Sequence, residues 1–344
     1  MKPAMMSRLP ELIELERLLD EVGPRARVKV LGQVHHQELS FPLYSVAMGS
    51  TDPEAPTLGL FGGVHGLERI GTQVLLSYLR TVSELMKWDH GIKSLLERSK
   101  LVFFPLINPG GMYMLSRSNP NGVDLMRNAP VHADKMHTLA LYGGHRISPK
   151  LPWYRGPAGA PMEPEATAVC ELVRNELFPA KVSMALDVHS GFGTKDRVWF
   201  PYARTKKPFH HLADVFALKL MLDRTYSSHV YIVEPQAKQY MTHGDLWDYL
   251  YDEQRKSEKG NFFLPLTLEM GSWVWAKKDL RQIFSVLGAF NPMKPHRLQR
   301  TLRRHLLFLD FLHRAVISPS EWLDLPKEKK DPLKRRALEL WYSP

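Results

Sequence analysis

The chain has 344 residues, of which 44% are hydrophobic and 24% charged, and its formal net charge is +10. This composition is typical of a globular protein with a sizeable core and excludes the disordered and fibrous classes. No segment has the apolar length of a signal peptide or a bilayer span, and the single cysteine, Cys170, excludes an internal disulfide. We therefore expect a cytoplasmic protein without membrane association, in which Cys170 is a buried structural thiol.

The N-terminal half begins with a predicted helix over residues 9–22, which ends at Gly23 and Pro24. Strands are predicted at residues 28–31 and 41–48. Residues 57–64 form a short apolar run that a Gly-Gly pair closes, and a helix is predicted to follow. The apolar face of that helix carries Leu75, Leu79, Val82 and Met86.

Three further apolar runs cover residues 100–107, 181–188 and 262–268. Because they lack polar alternation, they predict strands buried on both faces, in a parallel or mixed sheet covered by helices. Ligands of such sheets bind beyond the carboxyl ends of the strands. The polar residues that follow these strand ends are His65, Glu68, Asn108, His189 and Glu269.

The C-terminal segment supplies much of the net charge, since residues 294–344 contain twelve Lys or Arg and six Asp or Glu. Leucines recur there at helical spacing, with arginines between them. This pattern predicts a docked helix with a solvated basic face. A nucleic-acid protein or an anionic-membrane binder is the alternative interpretation of the same charge.

A metal site is predicted from His65 and Glu68, because a catalytic zinc takes three protein ligands of imidazole and carboxylate type and keeps a fourth position open. The two residues follow the Gly-Gly turn and are expected to enter the helix, where positions i and i+3 share a face. The same spacing at His35 and Glu38 lies in an extended stretch, where the two side chains point to opposite faces. The third ligand should come from another strand end, and His189 is the best candidate.

The general base of such a site must be a carboxylate near the metal. Glu269 is the candidate, because it ends an apolar strand, where desolvation would raise its pKa. The oxyanion that forms on attack requires a fixed cation, for which Arg117 and Arg127 are both candidates.

Six segments of the chain together carry a resemblance to a known family. They are GGVHGLERIG (62–71), PLINPGGM (105–112), SRSNPNGVDLMRN (116–128), YRGPAGAPMEPEATA (154–168), DVHSG (187–191) and TLEMG (267–271). In these motifs and their order, the chain resembles the zinc carboxypeptidases typified by pancreatic carboxypeptidase A, including their bacterial relatives.

The resemblance implies an α/β fold, namely a three-layer α/β/α sandwich with a mixed, mostly eight-stranded sheet. It covers a catalytic domain over residues 26–317, between an N-terminal helical extension (1–25) and a C-terminal basic tail (318–344). It implies one Zn²⁺ per chain, bound by His65, Glu68 and His189. Glu269 would be the general base that deprotonates the zinc-bound water.

The resemblance also implies roles for four other residues. Arg117 would polarise the scissile carbonyl, and Asp124 would orient His65. Arg127 would bind the terminal carboxylate of the substrate, and Tyr240 would lie over it. The chain departs from the family at Met126, where an asparagine that contacts the terminal carboxylate is usual. Either the substrate is unusual, such as a γ-linked amide or an acylated amino acid, or the neighbouring Asn128 compensates.

The leading functional prediction is a metallocarboxypeptidase that acts on a peptide or amino-acid amide, with no nucleic-acid or membrane partner. The first alternative is an aspartoacylase-like zinc deacylase of N-acyl amino acids. The second is a non-catalytic binding protein on the same fold.

Overall fold

The computed structural model describes residues 8–134, 141–257 and 260–343. Its strands are β1 (Arg27–His36), β2 (Leu39–Gly49), β3 (Thr57–Gly62), β4 (Lys100–Phe104), β5 (Val182–Ser190), β6 (Arg197–Phe200), β7 (Ile232–Pro235) and β8 (Phe262–Met270). Its helices are α1 (Pro10–Val22), α2 (Arg69–Trp88), α3 (His90–Glu97), α4 (Pro109–Tyr113), α5 (Pro164–Glu176), α6 (Leu212–Thr225), α7 (Leu246–Arg255), α8 (Trp273–Lys278), α9 (Pro295–Val316) and α10 (Lys327–Tyr342).

The eight strands form one mixed sheet in the order β1-β2-β4-β3-β5-β8-β6-β7. The central strands β4, β3, β5 and β8 are parallel to one another, whereas β2 pairs antiparallel with β1 and β4, and β6 pairs antiparallel with β8. The parallel centre brings the carboxyl ends of β3, β5 and β8 to one edge of the sheet. The predicted mixed sheet is confirmed.

Both faces of the sheet are covered by helices, because successive strand residues point to opposite faces and both sets are apolar. One core joins the sheet to helices that include α1, α2, α6 and α9, and the other joins it to α5 and α7. The strand residues alternate between the two cores: Leu186 and Val188 face the first, and Ala185 faces the second. The three-layer α/β/α sandwich is therefore confirmed.

Several element boundaries differ from the predictions. The β3 strand ends at Gly62, and β5 and β8 each continue two residues past their predicted ends, to Ser190 and Met270. The short strands β6 and β7 were not predicted, since four residues each are too few to display a pattern. Cys170 is buried in α5, and burial raises the pKa of its thiol to about 12, as expected for a structural cysteine.

The predicted C-terminal helix is α9, which packs against α2, β3 and β5. Its leucines 309 and 312 are fully buried, so that the helix is docked as predicted. A last helix, α10, packs against α6. Within the described ranges, no helix is both long enough and apolar enough to cross a lipid bilayer.

Candidate active site

His65 and Glu68 lie in the loop between β3 and α2. The prediction that they enter the helix is wrong, because α2 begins at Arg69 and Glu68 is its N-cap residue. Their side chains are brought together by a turn, in which the Glu68 amide donates to the His65 carbonyl at 2.9 Å. The turn is tightly packed, since a Cβ at Gly66 would overlap the backbone of Gly111 and Met112.

Asn108 follows β4, and its side chain holds the loop that carries His65 in place. Its side-chain amide donates to the Val64 carbonyl at 3.1 Å, and its oxygen accepts from the Gly111 amide at 2.8 Å. Both ends of the Asn108 side chain are therefore used within the scaffold. Asn108 contributes to the site indirectly, because it fixes the position of Val64, the residue next to His65.

His189 and Glu269 come from the neighbouring strands β5 and β8. His189 pairs with Glu269 in the parallel register of these strands, and Asp187 pairs with Thr267 two residues earlier in each strand. Because residues i and i+2 of a strand share a face, all four side chains project from the same face of the sheet. The two-residue extension of both strands places His189 and Glu269 inside the ladder rather than in the loops beyond it.

The three predicted metal ligands do converge. One donor atom each of His65, Glu68 and His189 lies within 4.8 Å of the donors of the other two, and all three residues are buried. The ring centroids of the two histidines are 5.1 Å apart. His65 Nδ1 is buried without a hydrogen-bond partner among the described residues. Two imidazoles, one of which has an unpartnered ring nitrogen, and one carboxylate form a donor set that zinc takes at catalytic sites.

Asp187 is a functional residue that the sequence reasoning did not single out. Its Oδ2 lies 2.8 Å from His189 Nε2 and also accepts from Trp247 Nε1 at 2.9 Å. With Nε2 engaged, His189 directs Nδ1 towards Glu68 Oε2, 3.1 Å away. The signal in the sequence was a carboxylate inside an otherwise apolar strand, two positions before a candidate ligand.

Asp124 does not make the hydrogen bond to His65 that the family resemblance implies. Its Oδ1 is 3.8 Å from His65 Nδ1 and accepts instead from the Met126 amide at 3.1 Å. Its Oδ2 accepts from Arg117 Nε at 2.9 Å. The Met126 amide and the Arg117 guanidinium thus each engage one oxygen of Asp124.

Arg117 reaches the metal ligands themselves. Its Nη2 lies 2.7 Å from His65 Nε2, and its Nη1 donates to Glu68 Oε1 at 3.3 Å. The Arg117 side chain is 22% exposed, whereas those of Glu68 and Asp124 are almost fully buried. Arg117 is thus anchored by two carboxylates and still accessible from the cavity.

The burial of these groups changes their protonation. Burial, assisted by the Arg117 guanidinium, lowers the pKa of His65 to about 3, so that its imidazole is neutral and able to bind a metal at neutral pH. Burial, assisted by the Glu68 carboxylate, raises the pKa of Glu269 to about 8. The carboxylate of Glu269 is oriented by the Phe192 amide, which donates to its Oε1 at 3.0 Å.

A cavity of about 470 Å³ opens over these residues. Its walls include Arg127, Tyr240 and Met126 as well as the metal ligands, Arg117 and Glu269. Burial and the Glu269 carboxylate raise the pKa of Tyr240, while Arg127 and Arg117 oppose this shift, as expected for neighbouring groups. All the predicted site residues therefore line this cavity except Asp124, which is buried and accepts a hydrogen bond from Arg117.

Asn128 is not available to compensate for Met126. Its amide donates to the Arg155 carbonyl at 3.0 Å, and its oxygen accepts from the Glu163 amide at 2.6 Å. Asn128 does not line the cavity, whereas the Met126 side chain does. Met126 therefore contributes an apolar side chain to the cavity wall beside Arg127.

Comparisons with known proteins identify the family and the fold. The model of the zinc carboxypeptidase family (Peptidase_M14) matches residues 27–277. The chain is 28% identical to the carboxypeptidase N catalytic chain of Rattus norvegicus over 151 residues, which are 40% of this chain and 32% of the relative. It is 25% identical to the human carboxypeptidase N catalytic chain over 57% of this chain and 43% of the relative. The matched segments thus span less than half of these curated relatives.

Solved structures share the fold. Thrombin activatable fibrinolysis inhibitor superposes with a TM-score of 0.64 at 18% identity, over 92% of this chain and 77% of the other. Carboxypeptidase A from Helicoverpa armigera superposes with a TM-score of 0.59 at 17% identity, over 89% and 72% of the two chains. With the family model matching most of its length and the family's metal ligands brought together, the chain belongs to the zinc carboxypeptidase family.

Proposed function

We propose that the protein is a zinc-dependent carboxypeptidase that hydrolyses the C-terminal peptide bond of its substrate. The observation that carries the proposal is the position of Glu269, which lies beside His189 in the ladder and faces the same cavity as the three metal ligands. Zinc bound by His65, Glu68 and His189 would polarise the carbonyl and make water nucleophilic at neutral pH.

Glu269 acts as the general base. It accepts a proton from the attacking water and passes it to the leaving amine, so that one carboxylate serves both halves of the reaction. The hydrogen bond from the Phe192 amide leaves one carboxylate oxygen for this task. Burial strengthens Glu269 as a base, because it disfavours the charged form.

Arg117 donates to the carbonyl oxygen of the substrate as negative charge develops there. Its hydrogen bond to Asp124 and its contact with Glu68 hold the guanidinium at the cavity wall before substrate arrives. A group fixed in this manner loses little freedom when the oxyanion forms, which is the basis of its contribution to rate.

Arg127 binds the terminal carboxylate. Its guanidinium is buried at the cavity, and its Nε has no partner among the described residues. Its Nη1 donates to the carbonyl of the preceding residue, Met126, at 3.2 Å, and the guanidinium also interacts with the Tyr240 hydroxyl. Most of its donors are thus left for an anion, and a planar guanidinium matches a carboxylate bidentately. Tyr240 packs against the rings of Phe192 and Trp199 and lies over the same space.

The released residue is proposed to be apolar or aromatic. The cavity wall is rich in aromatic side chains, and the acidic residues that line it among the described residues are the metal ligand Glu68 and the base Glu269. A lysine or arginine side chain would lose its hydration there without gaining a dedicated carboxylate. The aromatic residues concerned are Tyr142, Trp153, Phe192, Trp199, Tyr240, Trp273 and Phe290.

Metal analysis of the purified protein, combined with hydrolysis of blocked dipeptides, tests the proposal. We expect one zinc per chain and release of a C-terminal phenylalanine. Glu269→Gln should retain zinc but lose hydrolysis by about 10²–10⁴-fold, the usual contribution of a general base. Turnover of N-acyl amino acids alone would favour the deacylase alternative, for which the apolar Met126 beside Arg127 is the supporting observation. Absence of hydrolysis with bound zinc would favour a binding protein.

A further inference from the structure

A second cavity, of about 270 Å³, lies against the first half of α9. Its other walls are the segment after β8, from Gly271 to Lys278, and the loop that carries Thr194 and Lys195. None of the residues that line it also lines the candidate active site. We call this cavity the basic cleft.

The basic cleft has a large excess of positive charge. Five lysine and arginine side chains line it, and Asp196 is the single carboxylate among the lining residues. His305 also lines the cleft, but burial lowers its pKa to about 4, so that it is neutral at neutral pH. The cationic residues are Lys195, Lys278, Arg297, Arg300 and Arg304.

Asp196 is already occupied by other groups. Its Oδ1 accepts from the Gly271 amide at 2.9 Å, and its Oδ2 accepts from Arg304 Nη1 at 2.9 Å. It therefore neutralises Arg304 and ties α9 to the end of β8. None of the remaining four cations forms an ion pair with a carboxylate within the described part of the chain.

Within the described ranges, Arg297 bonds to neutral groups and the other three cations have no ion pair. Arg297 Nη1 donates to the Trp275 carbonyl at 3.1 Å and to Gln282 Oε1 at 2.9 Å, which holds this guanidinium in place without neutralising it. Lys195, Lys278 and Arg300 have exposed side chains without an ion pair among the described residues. Four like charges around one small cavity repel one another, and a bound anion would relieve this repulsion.

The sequence places the three arginines of the cleft, Arg297, Arg300 and Arg304, on one side of α9 together with Thr301. Residues 297, 300, 301 and 304 recur at i, i+3, i+4 and i+7, so that they share a face of the helix. Part of the predicted solvated basic face of this helix therefore borders the cleft. Arg303 lies on a different face of the helix, is exposed and does not line the cleft.

We propose that the basic cleft binds a compact polyanion that carries two or more phosphate groups. The excess charge requires several negative charges on one ligand, and guanidinium and ammonium groups are the usual partners of phosphate oxygens. The volume of the cleft suits a small molecule. A nucleic-acid duplex or a membrane surface would instead require an extended, flat array of cations.

Isothermal titration of the full-length zinc-loaded protein with inorganic pyrophosphate at physiological salt tests the proposal. We expect saturable 1:1 binding that is tighter than that of orthophosphate, because two phosphate groups can contact cations on both walls. Lys278→Gln and Arg300→Gln should each weaken binding by about tenfold, the effect of losing one charge-assisted contact. Any binding heat that persists when Lys278→Gln and Arg300→Gln are combined comes from sites outside the basic cleft.

Arg303→Gln is the matched control, because it removes the same charge from the same helix outside the cleft. It should leave pyrophosphate affinity unchanged. No saturable binding by the unmodified protein, or an equal loss in Arg300→Gln and Arg303→Gln, would overturn the proposal. The protein is also to be tested for retention on duplex DNA and on phosphatidic acid vesicles. Retention that Arg300→Gln and Arg303→Gln weaken equally would overturn the proposal in favour of an extended basic surface. None of these readouts depends on peptide hydrolysis.

Discussion

Asp187 Oδ2 lies 2.8 Å from Nε2 of His189, the residue two positions further along β5. Both side chains are buried on the same face of the sheet, and Trp247 Nε1 donates to the same carboxylate oxygen. This arrangement fixes which nitrogen of His189 is left for the metal, since a ring nitrogen engaged by a carboxylate directs the other towards the ion.

Asp187→Asn should lower zinc affinity by about 10–100-fold, the usual effect of removing a carboxylate partner of a metal-bound imidazole. The neutral amide would hold the ring less firmly and would lower the basicity of His189. Competition with a chromogenic chelator measures the affinity. Trp247→Phe is the control, because it removes the other hydrogen bond to Asp187 and keeps the one to His189. Equal zinc affinity in Asp187→Asn and the unmodified protein would contradict this assignment.

Gly66→Ala should disrupt the metal site without a charge change. The new methyl group would overlap the backbone of Gly111 and Met112, so that the turn between His65 and Glu68 must open. We expect zinc binding to weaken by more than tenfold and the melting temperature to fall, because backbone cannot yield as a flexible side chain does. Zinc content after dialysis and thermal unfolding measure both effects.

The control for this variant is Gly32→Ala in β1, where the nearest atom to a new Cβ is a leucine methyl 4.0 Å away. It should retain zinc fully. If Gly66→Ala also retained full zinc occupancy, the close packing of the metal loop would not be required for the site.

Met126→Asn should improve the binding of substrates with a free terminal carboxylate. Met126 lines the cavity beside Arg127, and an asparagine amide there would add a hydrogen bond worth about 0.5–1.5 kcal/mol, which corresponds to a 2–12-fold lower KM. C-terminally amidated substrates should not gain. Steady-state kinetics on matched acid and amide peptides distinguish the two cases.

Met126→Leu is the control for this substitution, since it keeps an apolar side chain of similar volume. It should leave the ratio between acid and amide substrates unchanged. An asparagine variant that improves both substrates alike would indicate that Met126 does not adjoin the terminal carboxylate.

Glu165 should make stability depend on pH. It is buried at the start of α5, where it accepts from Asn119 Nδ2 at 3.2 Å, and burial raises its pKa to about 7 from 4.5. A folded-state pKa above the unfolded value gives stability that is complete below about pH 4.5 and is lost as the pH rises through about 7. Glu165→Gln should remove this loss and stabilise the protein at pH 8 by on the order of 1–3 kcal/mol.

Thermal unfolding of both proteins from pH 5 to pH 8 measures this effect. The melting temperature of Glu165→Gln should exceed that of the unmodified protein increasingly as the pH rises. Glu171→Gln, on the exposed side of the same helix, is the control and should show no such trend. A difference independent of pH would mean that Glu165 does not titrate in this range.

Local sequence patterns determined the central strands of the sheet and most residues of the candidate site. Continuous apolar runs identified the central strands β3, β4, β5 and β8, because strands buried on both faces cannot alternate with polar residues. The positions just after those runs identified His65, Glu68, His189 and Glu269, because the carboxyl ends of parallel strands meet at one edge. The short strands β6 and β7 carried too few residues for a pattern.

Other features depended on the tertiary structure. Whether Asp124 reaches His65 or Arg117 is a competition between two partners that the chain brings together only when folded. The role of Asp187 required the register of β5 and the approach of Trp247 from α7. The basic cleft arises where one face of α9 meets the end of β8. Spacing along the chain specifies which side chains share a face, but the contacts between faces are set by packing between elements that are distant in sequence.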